Sequence, residues 1–403
     1  MILNFIFEVN YFMMKTVRRI FCCMFVLTFL MCSLCGCSEF NLDFLKMNSN
    51  DTAQSEEQLG VEKKALPATT FFYDQLNDKE KAYYKEILSI LQKRAEKTKI
   101  SVNDKDTIDR IYSYVLNDHP EIFYVSGYKL QQGTDTYLSG TYLYSKEEID
   151  SRQKKIDEYV SKCFAQMPSN ADSYGKVKYV YEYIVKNTEY QPQQYEDQNI
   201  CSVFIGGKSV CTGYSKATQY LLNCLGINTI FVTGFADTGV STQISSGNDG
   251  ENHAWNEVCI DGNWYCVDTT WGGGFSKNNL SQNGEKLINY DYLLCTTDEF
   301  NISHKTSKDL KVPVCTHSEN NYFVREGAYF EKADLSQFGK LVSSQLKKKQ
   351  HSVSIKCKSI EVYNSLKKVL FDEGKVRNYI SKENGSELYT SSSDKLLTLT
   401  IFF

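Results

Sequence analysis

The stretch Gly206-Gly207-Lys208-Ser209-Val210-Cys211-Thr212-Gly213-Tyr214 decides how this chain reads. Gly206 and Gly207 make a flexible turn, and Ser209 and Val210 lead in. From Thr212 to Leu225 apolar residues then recur at helical spacing (Tyr214, Ala217, Leu221, Leu222, Leu225) until Gly226 stops them. Cys211 therefore stands at the amino terminus of a helix. Unpaired N–H groups and the positive end of the helix dipole favour a thiolate there, and the same N–H groups can hold an oxyanion.

Farther along, His253 to Ile260 (His-Ala-Trp-Asn-Glu-Val-Cys-Ile) alternates as a strand does. Asp261-Gly262 is a two-residue hairpin signal, and Asn263 to Thr270 returns as the second strand. With Asp261-Gly262 as the whole turn, Ile260 pairs with Asn263 and His253 faces Thr270. Asp268 is then one diagonal step from His253 on the same face, about 7–8 Å away and within side-chain reach. A three-residue loop would put the two on opposite faces. A thiolate that attacks an acyl carbon, an imidazole that takes and returns the proton, and a carboxylate that fixes the imidazole tautomer make a nucleophilic triad.

These blocks, with Asn252-His253-Ala254-Trp255-Asn256 and Asp261-Gly262-Asn263-Trp264-Tyr265-Cys266-Val267-Asp268-Thr269-Thr270-Trp271 in order, resemble the core of the transglutaminase-like superfamily. Among its members they are most similar to bacterial lipoproteins and surface proteins. The resemblance covers about residues 170–300, and Tyr290-Asp291-Tyr292-Leu293-Leu294 also fits. The segment Asp118-His119-Pro120-Glu121-Ile122-Phe123 is similar to what precedes the core in that subgroup. It implies an α+β, papain- or transglutaminase-like core in which a nucleophile helix packs on an antiparallel sheet. It maps nucleophile, base and orienting acid onto Cys211, His253 and Asp268. It also implies an upstream polar side chain at the oxyanion hole, for which Gln198 is the candidate. Triad-bearing members include proteases, amidases and cross-linkers, so the resemblance fixes an acyl-thioester on Cys211 and leaves the acceptor, water or amine, open. The alternative is a non-catalytic module of the same fold that binds cell-wall peptide or a surface protein. Loss of a triad residue would favour it, and none is lost.

The amino terminus reads as a targeting segment. Lys15, Arg18 and Arg19 precede an uncharged run from Ile20 to Leu34, about right for a signal peptide and short for a membrane span. It ends in Leu34-Cys35-Gly36-Cys37, which resembles the lipobox of bacterial lipoproteins and implies lipidation of Cys37. The expected organisation is a signal peptide and lipidated Cys over 1–37, a disordered polar tether over 38–66 and an N-terminal helical and α+β region over 67–165. The catalytic core follows over 166–312, and a small C-terminal α/β module over 313–403. That places the protein outside the cytoplasm, tied to the membrane by lipid, with a peptide, protein or cell-wall peptide as substrate.

Composition agrees with a globular body and excludes other classes. The 403 residues are 42% hydrophobic and 23% charged, and the net charge of −4 lacks the basic stripe a nucleic-acid partner requires. Of 14 cysteines, Cys22, Cys23, Cys32, Cys35 and Cys37 belong to the signal and anchor, and the rest show no C-x-x-C pair or zinc-type spacing. No metal or cofactor is expected. Gly207-Lys208-Ser209 is not a phosphate loop, because Ser202 occupies the place of its first Gly. His253 to Glu257 lacks the H-E-x-x-H spacing. Asp237, Asp249 and Glu251 show no ordered calcium-ligand spacing.

Overall fold

In a computed structural model of the chain the residues described are 68–192, 198–237, 251–273, 286–380 and 388–403. The expected signal peptide, Cys37 and the whole of the tether lie outside them. Two helices, Asp78–Lys93 and Lys105–Asp118, share an apolar core with a three-stranded antiparallel sheet of order β1-β3-β2 (β1 Thr98–Ile100, β2 Val125–Gln132, β3 Thr136–Tyr142). The first helix starts where the sequence puts a cap. Asn77 Oδ1 accepts from Glu80 N at 3.0 Å, and Glu80 Oε2 accepts from Asn77 N at 3.2 Å. Ser145 and Glu148 form the same reciprocal pair ahead of the helix Lys146–Ala165.

Asp118 ties this part together. Its buried carboxylate accepts from Phe72 N at 3.1 Å, Tyr73 N at 2.9 Å and the Tyr84 hydroxyl at 3.0 Å. Burial pushes Asp118 up to about 6, against the pull of those three bonds. Next to it, Asn117 O accepts from Gln219 Nε2 at 2.7 Å, which joins this region to the Cys211 helix.

The central sheet positions the site. After a short parallel pair, β4 (Glu189–Tyr190) with β5 (Lys208–Ser209), the helix Cys211–Cys224 leads into β6 (Thr229–Ala236), β7 (Glu251–Ile260) and β8 (Asn263–Val267). With β9 (Leu293–Cys295) and β10 (His304–Thr306) these make a five-stranded antiparallel sheet of order β10-β6-β7-β8-β9. The turn is the two-residue type the sequence calls for. Asp261 and Gly262 have φ of 51° and 84°, the left-handed pair of a type I′ turn, and Ile260 pairs with Asn263. The second strand is shorter than the sequence suggests. It stops at Val267, Asp268 caps a one-turn helix, Thr269–Gly272, and Thr270 therefore does not pair with His253.

Alternation assigns the two faces of β7. Ala254, Asn256 and Val258 are buried, and Asn256 Nδ2 donates to Ser215 O of the Cys211 helix at 3.0 Å. His253, Trp255 and Glu257 therefore take the opposite face. On that face Gly234 of β6, paired with His253, makes room for what crosses it. A Cβ at Gly234 would sit 2.2 Å from Lys305 O of β10 and 2.6 Å from the Trp255 ring.

The C-terminal part is a four-stranded mixed sheet of order β11-β12-β14-β13 (β11 Tyr329–Phe330, β12 Ser352–Cys357, β13 Tyr389–Ser393, β14 Thr398–Phe402) with helices Leu335–Lys347 and Ile360–Lys367. The strand-like run Tyr322 to Tyr329 is instead a one-turn helix, Tyr322–Arg325, capped by Asn321 Oδ1 on Phe323 N. A local cap there overrides the strand-forming residues Tyr322, Phe323 and Val324. The described residues form one compact unit, and one apolar core runs from Val177 and Leu221 through Phe338 to Ile355 and Ile401.

Gly234→Ala should destabilise the protein by about 1–3 kcal/mol, the usual cost of overpacking. Urea unfolding followed by circular dichroism measures it, and an unchanged midpoint would mean that β10 does not lie against Gly234.

Candidate active site

Three elements deliver the three side chains. Cys211 is the first residue of its helix, and its N-cap, Val210, offers no side-chain hydrogen bond to the first turn. The N–H groups there are left for a ligand. His253 projects from β7, and Asp268 stands at the N-cap just past β8. His253 Nε2 meets Asp268 Oδ2 at 2.8 Å. With Nε2 so engaged, Nδ1 is the ring nitrogen left for Cys211, whose thiol is a hydrogen-bonding partner of the ring.

The Cys211 helix is tied to both neighbours. Thr218 Oγ1 and Thr269 Oγ1 are 2.9 Å apart, linking it to the turn that carries Asp268, and Asn256 Nδ2 links it to β7 and, through Ile230 O at 3.1 Å, to β6. Ser202 Oγ and Ser209 Oγ, 2.6 Å apart and buried, fix the approach to Cys211.

Asp268 is wholly buried, and each of its oxygens has two partners. Oδ1 accepts from Thr270 N at 2.8 Å and Trp271 N at 3.1 Å, while Oδ2 accepts from His253 Nε2 and, at 3.2 Å, from His304 Nε2. His304, from β10, is a partner that sequence reasoning missed. It lies in no motif block, and only the pairing of β10 with β6 brings it across the sheet. The Phe300 ring stacks on it at 4.0 Å, and Ser303 Oγ is 2.9 Å from its Nδ1.

The electrostatics follow from this arrangement. Burial opposes charge on Asp268, but the charge and hydrogen bond of His253, with His304 behind it, hold the carboxyl well below the usual carboxylate range. Burial also opposes charge on His253. The charge and hydrogen bond of Asp268, then Cys211, outweigh it and raise His253 to about 10. At His304 burial wins and its pKa is lowered. One imidazole is thus held charged and the other neutral, both donating to one oxygen. His253, Asp268 and His304 are close enough to hold a metal ion, their ligand atoms lying within 4.8 Å of one another. The two donors already satisfy Oδ2 without one.

Trp255 and Trp271 flank the His253 ring, and among the described residues only Trp255 of the two borders a cleft, on the side of Phe300 and His304. The two tryptophans are 1% and 6% exposed and pack beside the His253 ring, with centroids 6.2 and 5.8 Å away. Gln198 is exposed and directly precedes Asn199, which caps the short helix Ile200–Phe204. Among the acidic residues weighed for calcium, Asp249 and the side chain of Glu251 lie outside the described residues.

A model of the transglutaminase-like superfamily matches residues 162–269, the span that holds Cys211, His253 and Asp268. Residues 162–269 are thus similar to a transglutaminase-like core. Kyphoscoliosis peptidase of Mus musculus is 23% identical over 205 residues, which cover 48% of this chain and 31% of that protein. The Homo sapiens protein of the same name is 28% identical over 134 residues, covering 32% and 20%. The chain thus spans a third or less of the length of these curated relatives. A solved structure described as a TGase aligns over 40% of this chain and 50% of its own, with 18% identity and a TM-score of 0.26. The α+β architecture of the transglutaminase-like core is the one its sequence leads one to expect.

Breaking the pair should be costly and pH-dependent. His253→Gln removes one partner of a buried charge pair and should destabilise by roughly 3–5 kcal/mol. A raised histidine pKa stabilises fully below its unfolded value of 6.5, and the effect fades as pH rises through about 10. The gap in urea midpoint between wild type and His253→Gln should therefore be widest near pH 6 and narrow steadily towards pH 10. A gap that grows with pH would refute the charged imidazole.

Proposed function

We propose that this protein is an extracytoplasmic, lipid-anchored cysteine enzyme that cleaves peptide or amide bonds through an acyl-thioester on Cys211. The observation that carries the reading is the buried His253–Asp268 pair beside a cysteine at a helix start. His253 carries the charge at the start of the reaction, and the thiolate form of Cys211 is the attacking nucleophile. Sulfur attacks the acyl carbon, and the oxyanion is met by first-turn N–H groups, with Gln198 the candidate side-chain donor. The imidazolium gives its proton to the leaving amine as the C–N bond breaks. The thioester then forms, and neutral His253 takes a proton from the acceptor that displaces sulfur. Asp268 keeps the ring oriented and balances its charge in every step.

Water is the acceptor we favour. Amine transfer calls for a dry, tryptophan-walled cleft, and among the described residues only Trp255, of the two tryptophans beside His253, borders one. The curated relatives are named as peptidases, in the same direction. Anchoring rests on the Leu34-Cys35-Gly36-Cys37 pattern, and a body of about −6 after loss of the signal would be held off an anionic leaflet rather than lie flat on it.

Iodoacetamide near neutral pH, read by mass spectrometry, should label Cys211 faster than the other thiols, and His253→Ala should erase that advantage. A glutamine-containing peptide offered with a fluorescent amine should be hydrolysed with little amine incorporated. Cys211→Ala or His253→Ala should cut turnover by about four to six orders of magnitude. Dominant amine incorporation would make the enzyme a cross-linker, and peptide binding without turnover in the wild type would favour the binding module. Cys37→Ser should move the protein from the membrane to the soluble fraction.

A further inference from the structure

The face of the sheet that carries His253 and Asp268 holds a second cluster farther along β7 and β8. Glu257 follows His253 and Trp255 on β7, Cys266 precedes Asp268 on β8, and the register pairs Glu257 directly with Cys266. Cys315 reaches the same point from the segment after Pro313. It is fixed there by Thr297, whose Oγ1 accepts from Cys315 N at 2.8 Å and whose N donates to Cys315 O at 2.8 Å. The carboxylate oxygen and two sulfurs lie within 4.8 Å of one another, and all three residues are buried.

Two facts distinguish this cluster from ordinary core cysteines. Glu257 is 2% exposed, yet its Oε2 has no hydrogen-bond partner, and no ion pair to it is found among the described residues. An orphaned buried carboxylate oxygen is costly unless something answers it. Glu257 and Cys266 also border a cleft of about 660 Å³, along with Trp255, Phe300 and His304, which gives an ion a route to the cluster. A disulfide between Cys266 and Cys315 would leave Glu257 as orphaned as before. A cation would satisfy all three groups.

We propose that Glu257, Cys266 and Cys315 form a binding site for a thiophilic divalent cation of the zinc class. Two thiolates and a carboxylate suit that class rather than calcium or magnesium, which take oxygen ligands. Three protein ligands leave the fourth position of a tetrahedron for water from the cleft. Binding releases the thiol protons and any carboxyl proton to solvent, and no electron is transferred. The ion would staple β7 to β8 farther along the strands from the His253–Asp268 pair and pin the segment around Cys315 to both. The ligands are 9 and 49 residues apart by number, which is why no zinc-type spacing shows in the sequence.

The test uses the reduced full chain, equilibrated with Zn(II) against a competing chelator and analysed by plasma mass spectrometry. The full chain should retain one zinc per molecule, and its unfolding temperature should rise with zinc. A Cys266→Ser, Cys315→Ser double variant should retain none. With Co(II) in place of zinc, the wild type should show a thiolate charge-transfer band that the double variant lacks. Glu257→Gln keeps both thiols and carries the test if the double variant misfolds. It should weaken zinc binding by at least the roughly 10–100-fold that loss of an outer-shell partner costs. No zinc on the wild type, equal zinc on the double variant, or unchanged affinity in Glu257→Gln each overturns the site.

Discussion

A buried carboxylate with no counter-charge is among the most costly features a core can contain, and Asp268 is wholly buried. The structure answers it with four donors: the backbone of Thr270 and Trp271 on one oxygen, the imidazoles of His253 and His304 on the other. Much else follows from that requirement. β8 has to end at Val267 so that the chain can turn and present two free N–H groups. β10 has to pair closely with β6 at Gly234 so that His304 reaches Asp268. The backbone of Asp268 is itself held, its N–H donating to Tyr292 O at 3.0 Å.

The same requirement sets the chemistry. Of two histidines on one oxygen, His253 stands beside Cys211 and is held charged. His304 is stacked on Phe300 and stays neutral. Charge is thus concentrated where a thiolate can use it. We regard His304 as a positioning group, which fixes Oδ2 without competing for the proton. The ties through Asn256 and Thr218 keep the Cys211 helix in register with both partners, so the geometry does not depend on substrate to assemble it.

Local patterns were legible in the sequence and long-range ones were not. Asp261-Gly262 dictated its turn because Asp-Gly readily adopts the left-handed pair of a type I′ hairpin, and that two-residue turn put His253 and Asp268 on one face. Cys211 was visible as a helix start because Gly-Gly precedes it and an apolar stripe follows. The end of β8 was hidden, since Val267-Asp268-Thr269-Thr270 has strand-forming residues and only the capping role of Asp268 stops it. Tyr322 to Tyr329 was misleading for the same reason, with Asn321 as the cap. His304 and the grouping of Glu257, Cys266 and Cys315 had no local signature at all. Each depends on which strands become neighbours, information that spacing along one chain does not carry.

The central claim is that Asp268 holds one histidine charged and another neutral. Long-range nitrogen–proton NMR on histidine-labelled protein reads the protonation of each ring directly, and the chain has five histidines to distinguish. At pH 8 the account predicts an imidazolium that is lost in His253→Gln and titrates near pH 10, together with a neutral Nε2–H ring that disappears in His304→Gln. If every ring is neutral at pH 8, or if the imidazolium is His304, the account of this site is wrong.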